Sequence, residues 1–283
     1  MADNLDVLTW NFHRGTVDQL TPLERLEVRP GILTLQEVTV GRLPAIRRAL
    51  EALGYSVLDS CVPAAREKRY GNLVATSSQV AATAVPVEGF PWPQLALRVR
   101  LDVGSGPFSV VTVHIPNGSA NGWRKIDALE ALRRLVESSR DEPLIVTGDF
   151  NEPQFQPLQD GQVVSWAKVR RAGRWATVER LTCHGETDAG ERWDSAVRWF
   201  FDAKASGLRN AFWERHGIGA MEPSHLAHGS SRWFDHILAT REFRVESCDF
   251  LHEWREQGFS DHSPLRAVLS YAADQHGHPE HVL

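Results

Sequence analysis

Apolar and polar residues alternate along LDVLTWNF from Leu5, the period of a strand, and the run stops in Asn11-Phe12-His13-Arg14-Gly15. Residues 31–36 predict a second strand with Glu37 at its end. Leu43, Ile46, Leu50 and Leu53 then recur at helical spacing, and Gly54 is placed to stop that helix. Further strands are predicted at 55–58 and 72–75, and 95–103 with 108–115 read as a hairpin around Gly104-Ser105-Gly106-Pro107. Its second arm ends in His114-Ile115-Pro116-Asn117-Gly118. In the helix that follows, Trp123, Ile126, Leu129, Leu132, Leu135 and Val136 mark one face, with Lys125, Arg133 and Arg134 off it. Leu144, Ile145 and Val146 form a buried strand that stops in Gly148-Asp149-Phe150-Asn151. The pattern is lost across 154–232 and returns in strands at 232–238, 243–251 and 265–269.

Strands outnumber helices, the connections are short, and no repeat or Gly/Ser-rich linker divides the chain. The expectation is one α/β domain over residues 1–271, followed by a frayed polar tail at 272–283. The 283 residues, 42% hydrophobic and 24% charged, suffice for a large core. With 36 acidic against 31 basic residues the net charge is −5, so a contact with nucleic acid needs a local basic surface. Three scattered cysteines (Cys61, Cys183, Cys248) make neither a disulfide framework nor a zinc pattern, and no run is long and apolar enough to span a membrane. A cytoplasmic location is expected. Nothing in the sequence points to a protein partner.

The strand ends carry the candidate chemistry. Asn11 and His13, Glu37, His114 and Asn117, Asp149 and Asn151, Asp235, and Asp261 with His262 all stand where a predicted strand begins or stops. A carboxylate beside an amide, as in Asp149 and Asn151, suits orienting a water; an Asx turn is the structural alternative for the same string. Hard oxygen donors favour Mg²⁺ or Mn²⁺ over zinc. The chemistry that fits is metal-assisted displacement at phosphorus.

In their order and spacing, Thr-Trp-Asn11, Leu-Gln-Glu37, His114-Ile-Pro-Asn117, Gly-Asp149-Phe-Asn151, Trp-Phe-Asp235-His-Ile-Leu and Ser-Asp261-His262 resemble the endonuclease/exonuclease/phosphatase superfamily. That group includes exonuclease III, the abasic-site endonucleases, DNase I, sphingomyelinases and inositol-polyphosphate 5-phosphatases. The likeness runs from Leu5 to about Leu269. It implies a DNase I-like four-layer α-β-β-α sandwich, two packed mixed sheets flanked by helices, with the active site at one end. It also implies that Glu37 is the principal metal ligand with Asn11 beside it, and that Asp261 is a further metal candidate. Asp149 would deprotonate the attacking water and Asn151 would hold water or phosphate. His262 would contact the scissile phosphate, oriented by Asp235. His114 would stabilise phosphate or protonate the leaving oxygen, and Asn117 would sit on a phosphate oxygen.

The implied activity is hydrolysis of nucleic acid phosphodiesters, DNA more than RNA; the alternative is a small or lipid phosphate, and a binding module that reuses the fold is a third. Two departures blur the branch: His13 stands where the abasic-endonuclease branch has an aspartate, and His114 where it has a tyrosine. His13 is read equally as a site residue or a strand-end spacer, and Asn72 as a site residue or a turn. Arg124 and Lys125 read as a solvated helix face that could meet a phosphate backbone. Trp123, Trp175 and Trp254 are stacking candidates, and His184 and His225 read as loop residues, His225 being close enough to Asp235 to line a cleft. The segment 154–232 is expected to hold the substrate-selecting loops.

Overall fold

The computed structural model describes residues 3–63, 67–154, 163–177, 189–227 and 229–272. In its first strand, β1 (Asp3–Asn11), Leu8 and Trp10 face one way and Val7 and Thr9 the other, and all four are buried. A strand covered on both faces lies inside a layered structure. The strands continue as β2 (Ile32–Thr39), β3 (Tyr55–Asp59), β4 (Tyr70–Ser77), β5 (Ala81–Val85), β6 (Ala96–Val103), β7 (Gly106–His114) and β8 (Leu144–Asp149). After them come β9 (Lys168–Arg171), β10 (Arg174–Thr177), β11 (Arg209–Asn210), β12 (His225–Ala227), β13 (Ser230–Arg232), β14 (Asp235–Ala239), β15 (Phe243–Phe250) and β16 (Leu265–Tyr271).

One sheet runs in the order β15-β16-β1-β2-β4-β3 and the other β11-β14-β8-β7-β6-β5. Both are mixed, with β1–β2 and β7–β8 the parallel pairs. On the outside of the first sheet, Ile46 and Leu50 of the helix Leu43–Ala52 join Leu8, Trp10, Leu33, Leu35 and Leu73 in one cluster. The helices Trp123–Ser138 and Ala189–Phe201 cover the second sheet. The result is the four-layer sandwich that the family resemblance implies.

The rows of side chains between the sheets change character along their length. Val7-Thr9-Asn11, Ile32-Thr34-Gln36, Val110-Thr112-His114 and Ile145-Thr147-Asp149 each occupy alternate positions of one strand, so each row faces the opposing sheet. The threonines and Gln36 bond across the gap: Thr34 Oγ1 lies 3.0 Å from Thr147 Oγ1, and Gln36 Nε2 donates to Thr112 Oγ1 at 2.9 Å. Apolar packing thus gives way to a paired polar layer and then to the candidate residues at the rim, with no buried polar step left unsupported at Thr34, Thr112 or Thr147.

The reading of 232–238 as one strand is corrected. Ser230–Arg232 pairs with β12, whereas Asp235–Ala239 pairs with β8, and the buried Trp233 and Phe234 lie between. Within 154–232, where the sequence shows no period, lie the β9–β10 hairpin and the helix Ala189–Phe201. The tail with His276, His278 and His281, and also Cys183 and His184, lies outside the described residues.

Candidate active site

Strand direction gathers the rim. β1, β2, β7 and β8 run parallel in pairs and end there, while β14 and β16, antiparallel to β8 and β1, begin there: Asp235 stands opposite Asp149, and Leu265 opposite Thr9. Residues 249 positions apart, Asn11 and Ser260, are thereby brought within hydrogen-bond range.

Asp149 is the centre. It is 1% exposed, and its Oδ2 accepts from Asn11 Nδ2 at 2.9 Å and stands 3.7 Å from His114 Nε2 and 3.9 Å from His262 Nε2. Its Oδ1 accepts the Asn151 backbone N–H at 2.7 Å. Asn151 therefore does not follow β8 in an extended conformation: at φ +50° it closes an Asx turn on Asp149, and its Nδ2 reaches Ile115 O at 2.9 Å. The turn and the carboxylate–amide pair are one feature. Burial raises the proton affinity of Asp149 above the ordinary carboxylate range, opposed by His262 and reinforced by Asp235. A carboxylate shifted that way is a better base for water.

His262 is held from behind. Its Nδ1 lies 2.7 Å from Asp235 Oδ2, and Asp235 is fully buried. Burial pulls the imidazole pKa down, but the Asp235 carboxylate, with Asp149 and Asp261, more than offsets it and lifts the value to about 9. The ring is a cation at neutral pH, its Nε2 turned towards Asp149. Asp235 in turn is held below its usual range by that cation, against the pull of burial.

Glu37 is placed by a bulge. The β2–β4 register shifts between Leu35 and Val38, and Glu37 takes φ +58°, which a non-glycine residue rarely adopts. The kink carries its carboxylate to 3.8 Å from His114 Nε2 and 3.3 Å from Arg14 Nε. His114 Nε2 thus stands between the Glu37 and Asp149 carboxylates, its ring beside Tyr70 with centroids 5.5 Å apart.

On the far side, Asp261 Oδ1 meets the exposed His13 Nδ1 at 2.9 Å, and Oδ2 lies 3.5 Å from His225 Nε2. Burial alone would raise Asp261, but His225, His262 and His13 bring it down to about 2. Ligand atoms of His225, Asp261 and His262 lie within 4.8 Å of one another. His13 is thus drawn into the site, and His225 lines the cleft on β12, its ring 4.6 Å from that of His262. Asn117 is exposed on the loop after β7 and caps Asn121 through its carbonyl. Asn72 is not in a turn: it lies within β4, fully buried, and donates to Thr112 O of the facing sheet at 3.0 Å.

The donor set fits a hard divalent cation. Glu37 and Asp149 place two carboxylates around one imidazole nitrogen, Asn11 adds an amide oxygen, and the ionised Asp261 lies along the same rim.

Lys125 overturns the reading of its helix face as solvated. It is 0% exposed, and its Nζ lies 3.3 Å from Glu152 Oε1 and donates to Asn151 O at 2.9 Å. Glu152, also fully buried, takes Trp193 Nε1 at 2.7 Å and the Trp166 N–H at 3.1 Å, and its carbonyl lies 2.8 Å from His236 Nε2. This network underpins the Asp149 turn. Nothing in the sequence marked Glu152 beyond its place in the Gly-Asp-Phe-Asn-Glu-Pro string. Trp123 and Trp254 are buried and serve packing rather than stacking on a ligand, whereas Trp175 is 41% exposed.

Residues 8–262 match the sequence profile of the Endonuclease/Exonuclease/phosphatase family. No curated protein sequence matches the chain. Among solved structures, an AP endonuclease from Archaeoglobus fulgidus superposes with TM-score 0.62 at 18% identity, covering 93% of this chain and 98% of its own. The 3' phosphatase NExo from Neisseria, bound to a product DNA hairpin, gives TM-score 0.59 at 18% identity over 93% and 98%. ANGEL2, a 2',3'-cyclic phosphatase, gives 0.62 at 18% over 96% and 97%. These likenesses extend the fold over nearly the whole chain.

Proposed function

From the premise that the chain belongs to the Endonuclease/Exonuclease/phosphatase family, we propose that it is a divalent-metal-dependent phosphodiesterase that hydrolyses nucleic acid, DNA in preference to RNA, in the cytoplasm. The observation that carries this reading is the convergence of Asn11, His114 and His262 on one buried oxygen of Asp149.

Asp149 is the base: a buried carboxylate of raised proton affinity takes the proton of the attacking water. Asn11 and the Asn151 N–H fix the orientation of its two oxygens, so no reorganisation is needed as the proton arrives. His262 meets the charge that accumulates on the phosphoryl oxygens, and Asp235 holds the ring in place with its Nδ1–H engaged. His114 Nε2 is placed to donate to phosphate or to the leaving oxygen. Glu37 and Asn11, with Asp261, are the residues that would hold Mg²⁺ or Mn²⁺. Such an ion supplies Lewis-acid neutralisation of a phosphoryl oxygen when bound. Asn117, exposed at the rim, is assigned to a substrate phosphate.

A second reading, hydrolysis of a terminal phosphate on a nucleic acid or small molecule, draws support from the phosphatase names of two neighbours. Both are tested with end-labelled DNA duplexes carrying an internal abasic site or a 3'-phosphate, incubated in Mg²⁺ and in EDTA. Mg²⁺-dependent shortening of the abasic duplex supports the nuclease. Release of inorganic phosphate alone supports the second reading, and inertness of both substrates in Mg²⁺ and Mn²⁺ contradicts action on DNA.

A further inference from the structure

Next to Glu37 the surface opens into a cavity of about 520 Å³ lined by Arg14, Thr39, Val40, Gly41, Lys68, Arg69 and Tyr70. Among the described residues, three of its walls are cations and none is an acid, in a chain whose net charge is −5. The cavity shares walls with the site: Arg14 Nε lies 3.3 Å from Glu37, and the Tyr70 ring lies beside His114. An anion in it would sit immediately beside the reacting centre.

Two of the cations, Arg14 and Lys68, are mounted rather than loose. The Arg14 guanidinium lies 5.2 Å over the Tyr70 ring, and Lys68 Nζ is 5.9 Å from that ring and 5.0 Å from Trp92. Arg124 lies 4.5 Å over the same Trp92 ring and pairs with Glu67. Arg42 donates to the Arg14 carbonyl and fixes the backbone from which that guanidinium projects. Tyr70 and Trp92 are each 8% exposed, so they act as supports beneath the charges and not as stacking platforms for a base. Lys68 also holds φ +49°, a conformation that costs a lysine free energy and sets where its side chain emerges. Burial lowers the proton affinity of Lys68, and the charges of Arg14 and Arg124 lower it further, offset by Glu37 and Glu67. Preorganised cations crowded around a cavity are arranged for an anion that relieves them.

We propose that this cavity binds a second phosphate of the substrate, the phosphodiester next along the strand from the one being cut, through Arg14, Lys68 and Arg69. It rests on the nucleic-acid reading given above. It deepens that reading by naming what selects a strand over a compound with one phosphorus centre. The same chemistry admits the second phosphate of a small bisphosphate, and the test separates the two sources.

The test compares the full chain with a Lys68→Asn/Arg69→Gln variant. Asparagine is chosen because it tolerates the positive φ at 68. Binding is read in EDTA, without turnover, by anisotropy of fluorescein-labelled, phosphorothioate-linked thymidine dimers and tetramers, with inositol 1,4-bisphosphate as competitor. The wild type is expected to bind the tetramer about tenfold or more tightly than the dimer, and the variant to lose that discrimination to within about twofold. The dependence of log Kd on log salt should flatten by about 0.7, the value for one phosphate no longer neutralised. Should the double variant fail to fold by circular dichroism, Arg69→Gln alone, at an exposed position, should give about half the change in slope.

Unchanged discrimination and slope in the folded variant overturn the proposal, as does a wild type that binds neither oligonucleotide nor bisphosphate. Bisphosphate binding that is lost in the variant, without tetramer binding, keeps the phosphate pocket and overturns the strand as its occupant. Tetramer binding without Mg²⁺-dependent cutting leaves the pocket standing and removes the proposed reaction instead.

Discussion

His262 Nδ1 stands 2.7 Å from Asp235 Oδ2, with both side chains withdrawn from solvent, and this contact makes a cation of a ring that burial alone would leave neutral. Asp235→Asn keeps the shape and removes the charge. The turnover number is expected to fall by about 10²–10³, the usual cost of one electrostatic contact to a transition state, with KM nearly unchanged. Steady-state kinetics check it; a rise in KM with kcat intact would mean that Asp235 serves binding only.

Lys125 and Glu152 form a fully buried ion pair, and removing one partner strands the other. Lys125→Met is expected to cost about 3–5 kcal/mol, measured by urea unfolding. Lys125→Met combined with Glu152→Gln should recover part of that loss, since the stranded charge is gone. A double variant no better than the sum of its singles contradicts the coupling.

His236 gives the fold a pH dependence of definite sign. Burial among Trp233, Phe201 and Phe150 lowers its pKa to about 4, while Glu152 O accepts from the ring. The unfolded chain takes up this proton below about 6.5 and the folded chain only below about 4. No stability is lost to this group above pH 6.5; about 3 kcal/mol is lost as the pH falls through that window, and the loss levels off below 4. Urea unfolding from pH 7.5 to 4 should show the slope. His236→Phe should flatten it, at a constant cost of about 1 kcal/mol for the lost hydrogen bond.

Glu37→Gln retains the bulge and removes a carboxylate. Activation by Mg²⁺ is expected to shift to about tenfold or more higher concentration, read from initial rates across a Mg²⁺ titration. A midpoint equal to that of the wild type would remove Glu37 from the metal.

The rim was legible in the sequence because its signals are local. Asn11, His114 and Asp149 each follow a threonine and an aliphatic residue at alternate positions of a strand, and strand ends are where a sheet shows polar side chains. Lys125 was not legible. An apolar stripe sorts a lysine to the solvent face, and only the fold reveals that Glu152 and Asn151 O wait beneath it. Glu37 could be named, yet its aim depends on a bulge against β4 that no single strand encodes. At Asn151 the string permits both a carboxylate–amide pair and an Asx turn, and the structure shows the two as one feature. The β9–β10 hairpin escaped for a different reason: strands of four residues carry too few alternations to show a period, whereas His225, close enough in sequence to Asp235 to line a cleft, does line it.

The central claim is that Asp149 activates water. Single-turnover cleavage of an end-labelled abasic duplex in Mg²⁺, by the wild type and by Asp149→Asn, tests it most directly, with binding of the same duplex measured in parallel. The substitution keeps the size and the acceptor for the Asn151 N–H but removes the base. The predicted result is binding within about threefold of the wild type and a cleavage rate lower by about 10³ or more. Cleavage at the wild-type rate by Asp149→Asn, with binding intact, would contradict the account.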